Sequence, residues 1–209
     1  MEEFRAQIIG NGISYDIVKK GFTLDKTGIS NWLKEKSILH VNDNLLSFEE
    51  LKPWIRTGGE TYSTTFIFST NDTTYWLIAK ALVTLNPEKS LLDWERRRKI
   101  LLDNNVPVSN WFWIGEGTII ETYYPKTFVD VVNFEDLIKM AFSIDKLGFV
   151  TLKFLDDIRC DVFGYPFYVD FGFDLGEPSG NHQYEAKGYL IKQFPAKEKE
   201  INMFYSSNF

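Results

Sequence analysis

Polar and apolar positions in this chain switch between a strand-like and a helical period. Strand-like runs surround a glycine turn at residues 57–60, and turn residues at 71–72 precede another strand-like run at 75–82. Residues 87–104 then follow a helical period, and strand-like runs return at residues 111–114 and 118–124. This order predicts an α+β fold whose first half is rich in strands.

The second half of the chain is predicted to be mainly helical. Residues 133–144 have helical periodicity, and Asn133 is placed to be the N-cap of that helix. Residues 197–205 also have a helical pattern, whereas residues 183–194 fit a strand or a helix equally well.

Residues 1–50 are predicted to form an N-terminal extension that either packs on the strand-rich region or carries recognition of a substrate or partner, and the sequence does not decide between the two. Within it, Ser30 or Asn31 is predicted to cap a helix that runs through residues 34–36. Residues 47–50 are a capping candidate for a further helical turn.

Composition and charge exclude several classes of function. The chain has 209 residues, which suits one domain or two small lobes, and its net charge of −6 does not favour nucleic acid as a partner. The basic run at residues 96–99 is interpreted as a solvated helix face. Cys160 is the only cysteine, so we expect a reducing, cytoplasmic compartment. We see no secretory signal and expect no membrane span.

Two short motifs carry the candidate chemistry. Residues 168–172 read Tyr-Val-Asp-Phe-Gly, an apolar strand that runs into Asp-Phe-Gly. Upstream, residues 76–81 place Lys80 inside an apolar strand, and an ammonium group in such a position needs a partner. Glu95, on the helix that follows, is the predicted partner.

Taken in order along residues 54–176, these motifs resemble the protein-kinase-like superfamily. The resemblance implies a bilobal fold, with an antiparallel-sheet N-lobe at residues 51–124 and a strongly reduced helical C-lobe at residues 125–209. It further implies that Lys80, held by Glu95, orients the phosphates of ATP, and that Asp170 binds Mg²⁺.

The same resemblance assigns further nucleotide contacts. Gly58 and Gly59 would cover the phosphates, with a hydroxyl contact from Ser63 or Thr64. A plain hairpin loop is the alternative interpretation of this turn. The strand at residues 118–124 would become the hinge, where Glu121 and Tyr123 would receive the adenine edge.

The catalytic loop is expected at residues 152–167. Asp156 and Asp161 have the spacing of the family's base and second metal ligand, so Asp156 is the favoured base and Asp161 the predicted second ligand beside Asp170. Alternatively, Asp157 is the base and Arg159 neutralises the transferring phosphoryl group. No His-Arg pair precedes these aspartates.

The resemblance therefore implies an ATP- and Mg²⁺-dependent phosphotransferase. The short C-terminal region is similar to minimal protein kinases that some bacteria deliver as effectors, which implies Ser/Thr transfer to a host protein and export by a specialised secretion system. The alternatives are a small-molecule kinase of the aminoglycoside or choline type and a pseudokinase that acts as a binding module.

Overall fold

The computed structural model describes residues 26–57, 61–82, 84–115, 117–172 and 174–208. These residues divide into two compact units. The first unit holds the described residues up to Asp93 together with Asn110–Tyr123, and the second holds Trp94–Ser109 and the residues from Tyr124 onward. The predicted domain boundaries differ, because they placed the whole of the long helix with the strands.

A five-stranded antiparallel sheet forms the centre of the first unit. Its strands are β1 (Ser47–Thr57), β2 (Thr61–Ser69), β3 (Thr74–Leu82), β4 (Trp111–Gly115) and β5 (Thr118–Thr122). They lie in the order β1-β2-β3-β5-β4, so β3 is an interior strand with β2 and β5 as its neighbours.

Helix α1 (Lys26–Glu35) and the residues after it contribute to a core on one face of this sheet. Leu33, Leu39 and Leu45 are buried in one hydrophobic cluster with Phe66 and Leu77 of the sheet. Because side chains alternate along a strand, the residues next to Leu77 and Phe66 in sequence belong to the opposite face. That opposite face carries Lys80.

The second unit is mainly helical. Helix α2 (Pro87–Asp103) enters it at Trp94, and the unit contains α3 (Phe134–Lys146), α4 (Glu185–Gln193) and α5 (Glu198–Asn208). A small sheet has the order β6-β7-β8, with β6 (Lys126–Thr127), β7 (Ile158–Cys160) and β8 (Pro166–Tyr168). Short 3₁₀ helices lie at Phe128–Asp130 and Pro195–Lys197.

The α+β fold class, with an antiparallel-sheet unit followed by a small helical one, is confirmed. Asn133 is the N-cap of α3, since its side chain accepts a hydrogen bond from the Glu135 N–H. Residues 183–194 resolve into helix α4. Among the described residues, no helix is both long and apolar enough to cross a membrane.

Two local predictions were wrong. Residues 47–50 begin strand β1 rather than a helical turn, because they pair with the end of β2, from Ser47 opposite Ser69 to Glu50 opposite Phe66. Helix α1 is already formed at Lys26 and ends at Glu35, so neither Ser30 nor Asn31 caps it. In both places the capping pattern was present, but packing on the sheet determined the structure.

Candidate functional site

Lys80 forms an ion pair inside the first unit. Its Nζ lies 2.5 Å from Glu121 Oε1, and the side chains of Lys80 and Glu121 are only 12% and 2% exposed. The Trp111 Nε1–H donates to the other carboxylate oxygen, Glu121 Oε2, at 2.9 Å. Glu121 therefore holds the ammonium of β3 and the indole of β4 at once.

Strand register places the neighbours of this ion pair. Ser63 on β2 lies directly opposite Lys80, and Ile78 on β3 lies opposite Glu121, so all four residues share one face of the sheet. Ser63 is buried, and its predicted hydroxyl contact with the phosphates stays a prediction. Thr64, the alternative hydroxyl, faces the opposite side.

Four other residues were predicted to contact the nucleotide. Gly58 and Gly59 lie outside the described residues. At Glu121, β5 pairs with β3 and β4, and the Glu121 carboxylate is bound to Lys80, so its contact with the adenine edge stays a prediction. The Tyr123 N–H donates to Trp76 O at 2.8 Å, so that donor is already used within the sheet.

Glu121 is the acidic partner that the structure gives Lys80. Glu95 lies on the part of α2 that belongs to the second unit, with an exposed side chain, and its predicted pairing with Lys80 stays a prediction.

Asp170 and the two residues that follow it form a tight turn in the second unit. Asp170 Oδ1 accepts a hydrogen bond from the Gly172 N–H at 3.0 Å, while Phe171 is fully buried next to Tyr168. Asp170 itself is only partly buried. The turn therefore keeps the Asp170 carboxylate accessible while its neighbour anchors it in the core.

Asp157 lies beside the same strand end. Its Oδ2 accepts a hydrogen bond from the Tyr168 hydroxyl at 3.0 Å, and its backbone carbonyl accepts one from the Val169 N–H at 2.9 Å. Burial raises the pKa of Tyr168 well above its usual value, and the charges of Asp157 and Asp170 raise it further. Tyr168 is therefore a neutral donor that orients the Asp157 carboxylate.

Asp161 lies in the turn of the β7–β8 hairpin, and its role as a second metal ligand beside Asp170 stays a prediction. Asp161 Oδ1 accepts from the Phe163 and Tyr165 N–H groups, both at 2.9 Å, and so stabilises the β7–β8 turn. Cys160 pairs with Pro166 at that end of the hairpin, whereas Ile158 pairs with Tyr168 at the Asp170 end. Asp161 and Asp170 therefore lie beyond opposite ends of the paired strands β7 and β8.

Asp156 and Arg159 occupy different environments. The Asp156 side chain is exposed, whereas Asp157 is 4% exposed. The Arg159 guanidinium donates through Nη1 to the backbone carbonyls of Asp156 and Ile158, at 2.7 and 2.9 Å. Arg159 therefore fixes the backbone of this loop in addition to carrying its charge.

The basic run on α2 is more than a solvated face. The Arg97 Nη1 donates to the carbonyls of Phe171 and Gly172, at 3.0 and 2.9 Å, and Arg98 donates to Ser109 O. Arg96 and Arg97 also bind Glu177, and the hydrogen bond from Arg96, followed by the one from Arg97, lowers the pKa of its carboxyl. One sequence cue pointed to this packing: the arginines come shortly after the apolar Trp94 on the same helix. The structure buries Trp94.

The carboxylates of the second unit fit Mg²⁺ with nucleotide phosphates better than they fit a metal alone. Within the described part of the chain, no group of three or more His, Cys, Asp or Glu side chains could hold a metal ion. Mg²⁺ is commonly bound through one or two carboxylates, with phosphates and water completing its coordination. Asp157 and Asp170 lie at one end of the hairpin and are the residues that would hold such an ion.

No protein-family model matches the chain. No curated protein matches it in sequence either. Among solved structures, the chain is similar to the Rio2 kinase-ADP/Mg²⁺-phosphoaspartate complex from Chaetomium thermophilum, with 13% identity and a TM-score of 0.43. The match covers 88% of this chain but only 60% of that one. The assignments that follow therefore rest on the chain's own residues.

Proposed function

We propose that this protein is an ATP- and Mg²⁺-dependent phosphotransferase. The single observation that carries the proposal is the buried Lys80–Glu121 ion pair. A lysine on an edge strand commonly extends its ammonium into solvent, but β3 is interior and the Lys80 side chain is 12% exposed.

The energetics of such a pair favour a chemical role for it. Desolvation of two charges offsets most of their attraction, so a buried ion pair stabilises a fold little compared with apolar side chains of similar size. A lysine held by a carboxylate is, however, a fixed positive charge that suits the α- and β-phosphates of ATP. We assign this role to Lys80, with Glu121 as the residue that orients it.

Asp170 is the proposed magnesium ligand, and Asp157 replaces Asp161 as its companion. Asp157 lies at the same end of the β7–β8 hairpin as Asp170, and Tyr168 fixes its orientation. Bound Mg²⁺ would neutralise charge on the phosphates. Two carboxylates that share one ion need not repel each other, because the ion carries the compensating charge.

Asp156 is the proposed base for the acceptor hydroxyl, because its side chain is exposed while Asp157 is buried against Tyr168. The proposed acceptor is a Ser or Thr hydroxyl on a protein. We further propose that this protein is a bacterial effector whose substrate is a host protein.

A nucleotide-binding pseudokinase is the second candidate. It is favoured by the position of Asp161, which stabilises a hairpin turn instead of supplying the expected second metal ligand. Such a protein would bind Mg²⁺–ATP without transferring phosphate.

The deciding experiment measures transfer of γ-labelled phosphate from Mg²⁺–ATP, with and without a eukaryotic lysate. The native protein is compared with Lys80→Ala, Asp170→Ala and the matched control Lys99→Ala, whose side chain is exposed and pairs with Asp103. Label on a discrete protein that is lost in the first two variants and kept in the control supports a protein kinase.

Calorimetric titration with Mg²⁺–ATP separates the other outcomes. Binding without transfer to any protein supports the pseudokinase, unless ATP turnover begins when an aminoglycoside or choline is added, which would indicate a small-molecule kinase. If the folded native protein neither binds nor turns over Mg²⁺–ATP, the proposed function is wrong.

A further inference from the structure

The Asp-Phe-Gly turn is held by an arginine from a distant part of the chain. Arg97 on α2 donates from one nitrogen, Nη1, to the carbonyl oxygens of Phe171 and Gly172. Its side chain is 15% exposed, so these bonds are partly shielded from water. Hydrogen bonds from a charged donor to backbone acceptors are stronger than neutral ones.

Glu177 in turn fixes the arginine. Its Oε1 accepts from Arg97 Nε at 3.0 Å, and Arg96 lies 2.5 Å from both of its carboxylate oxygens. Glu177 thus bridges two consecutive arginines. A planar guanidinium held on one edge by a carboxylate presents its remaining donors in a fixed direction, here toward the turn.

This arrangement acts on Asp170 through the backbone. The peptide plane that contains Phe171 O also contains the Gly172 N–H, and that N–H donates to Asp170 Oδ1. When Arg97 fixes the carbonyl, it therefore fixes the direction of the N–H that orients the carboxylate.

We propose that Arg97 is a positioning residue for Asp170, and that Glu177 keeps Arg97 in place. A built-in carboxylate then does the work that an added phosphate group would do, so the turn holds one conformation without covalent modification. The consequence for Mg²⁺ binding rests on the proposed function, whereas the ordering of the turn does not.

The first test is amide hydrogen exchange of the full chain without nucleotide. Arg97→Gln and Glu177→Gln are compared with Lys99→Gln, which removes a charge from the same helix at an exposed ion pair. We expect the Gly172 amide to exchange about tenfold faster in Arg97→Gln, since one charge-assisted bond is worth roughly a factor of ten. Glu177→Gln should give a smaller increase and Lys99→Gln none.

Glu177→Gln is included as a variant that should stay folded. Glu177 is 53% exposed, and its replacement leaves the hydrogen bonds from Arg97 to the carbonyls possible. Exchange at Gly172 that is unchanged in both variants, while both stay folded, overturns the proposal. So does an equal increase over the whole second unit, which would indicate a general loss of stability.

The second test measures the Mg²⁺ concentration needed for half-maximal ATP binding. Arg97→Gln should raise this midpoint several-fold without weakening ATP binding in the absence of metal, and Arg97→Lys should restore it only in part, since an ammonium lacks the planar fork. If the native protein binds no Mg²⁺–ATP, the proposed function fails, while hydrogen exchange still decides the role of Arg97.

Discussion

Glu121 is the residue on which the first unit's site depends. Its carboxylate is almost fully buried and satisfies both the Lys80 ammonium and the Trp111 indole. Removal of one member of a buried ion pair leaves the other charge without compensation, which is more costly than replacement of both.

Glu121→Gln should lower the free energy of unfolding by about 3 kcal/mol, because it removes the charged member of a buried ion pair that faces the Lys80 ammonium. The double variant Lys80→Met with Glu121→Gln should recover most of that loss. Urea denaturation measures both, and Glu135→Gln, which breaks an exposed pair with Lys139, is the control that should cost at most about 1 kcal/mol. Equal losses for Glu121→Gln and the control would contradict a buried ion pair.

Thr151 presents the opposite case, a polar group without compensation. Its side-chain oxygen is buried and has no hydrogen-bond partner within the described residues. Thr151→Val should therefore raise the free energy of unfolding by about 1 kcal/mol, because the hydroxyl no longer has to be desolvated. Thr127→Val is the comparison, since the Thr127 hydroxyl donates to Asp130 and its loss should not stabilise. A destabilised Thr151→Val would show that the hydroxyl has a partner after all.

At the scale of elements, the β7–β8 hairpin places Asp157 and Asp161 in different environments. Asp161 accepts two backbone N–H groups at the turn, and Gly164 there has φ +88°, where an added Cβ would lie 2.5 Å from Val132 Cγ2. The turn therefore needs both residues for its own geometry.

Asp161→Ala should cost about 1–2 kcal/mol of stability, because two turn amides lose their acceptor, and leave the Mg²⁺ dependence of ATP binding unchanged. Asp157→Asn should raise the Mg²⁺ concentration needed for half-maximal ATP binding. Its free energy of unfolding should fall by less than a buried unpaired charge would cost. Titration of both variants with Mg²⁺ at fixed ATP checks this. A raised midpoint in Asp161→Ala would restore Asp161 as a metal ligand.

At the scale of the whole molecule, Asp145 joins the C-terminal helices to α3. It is fully buried, and it accepts hydrogen bonds from the Ala186 and Lys187 N–H groups of α4 and from the Tyr205 hydroxyl of α5. Ile201 and Tyr205 are also buried. Helix α5 therefore contributes side chains to the core of the second unit.

The contribution of Asp145 to stability should fall as pH rises from about 4 to above 6. Burial raises the pKa of Asp145 to about 6, although the bonds from Tyr205 and the α4 amides oppose the shift. The native state thus holds a proton that the unfolded state has already lost, and a shift of about two units corresponds to at most about 3 kcal/mol. This contribution is present below the unfolded pKa and lost above the folded one.

Denaturation of the native protein and Asp145→Asn across this pH range isolates the contribution, because the other carboxyls are common to both. The difference between the two proteins should change with pH around 6. Asn accepts through one oxygen only, so Asp145→Asn should also be less stable at low pH. A difference that does not vary with pH would show that Asp145 is not protonated in the folded state.

The sequence by itself determined the elements whose signals are local. Helices α2, α3 and α5 follow the apolar period of their own residues, and Lys80 and Asp170 were identified from strand motifs because an apolar strand can be recognised without its neighbours. The order of strands and helices likewise indicated an α+β fold in advance.

Tertiary structure alone decided which side chains meet. Lys80 meets Glu121 because β3 pairs with β5, and the β7–β8 register places Asp157 and Asp161 at opposite ends of the hairpin. Residues 47–50 became a strand for the same reason. Pairing register and helix packing depend on contacts between residues distant in sequence, and a shift of one residue would turn each side chain to the other face. Local sequence patterns identify candidate reactive side chains, but the packing of the whole chain determines which residues those side chains contact.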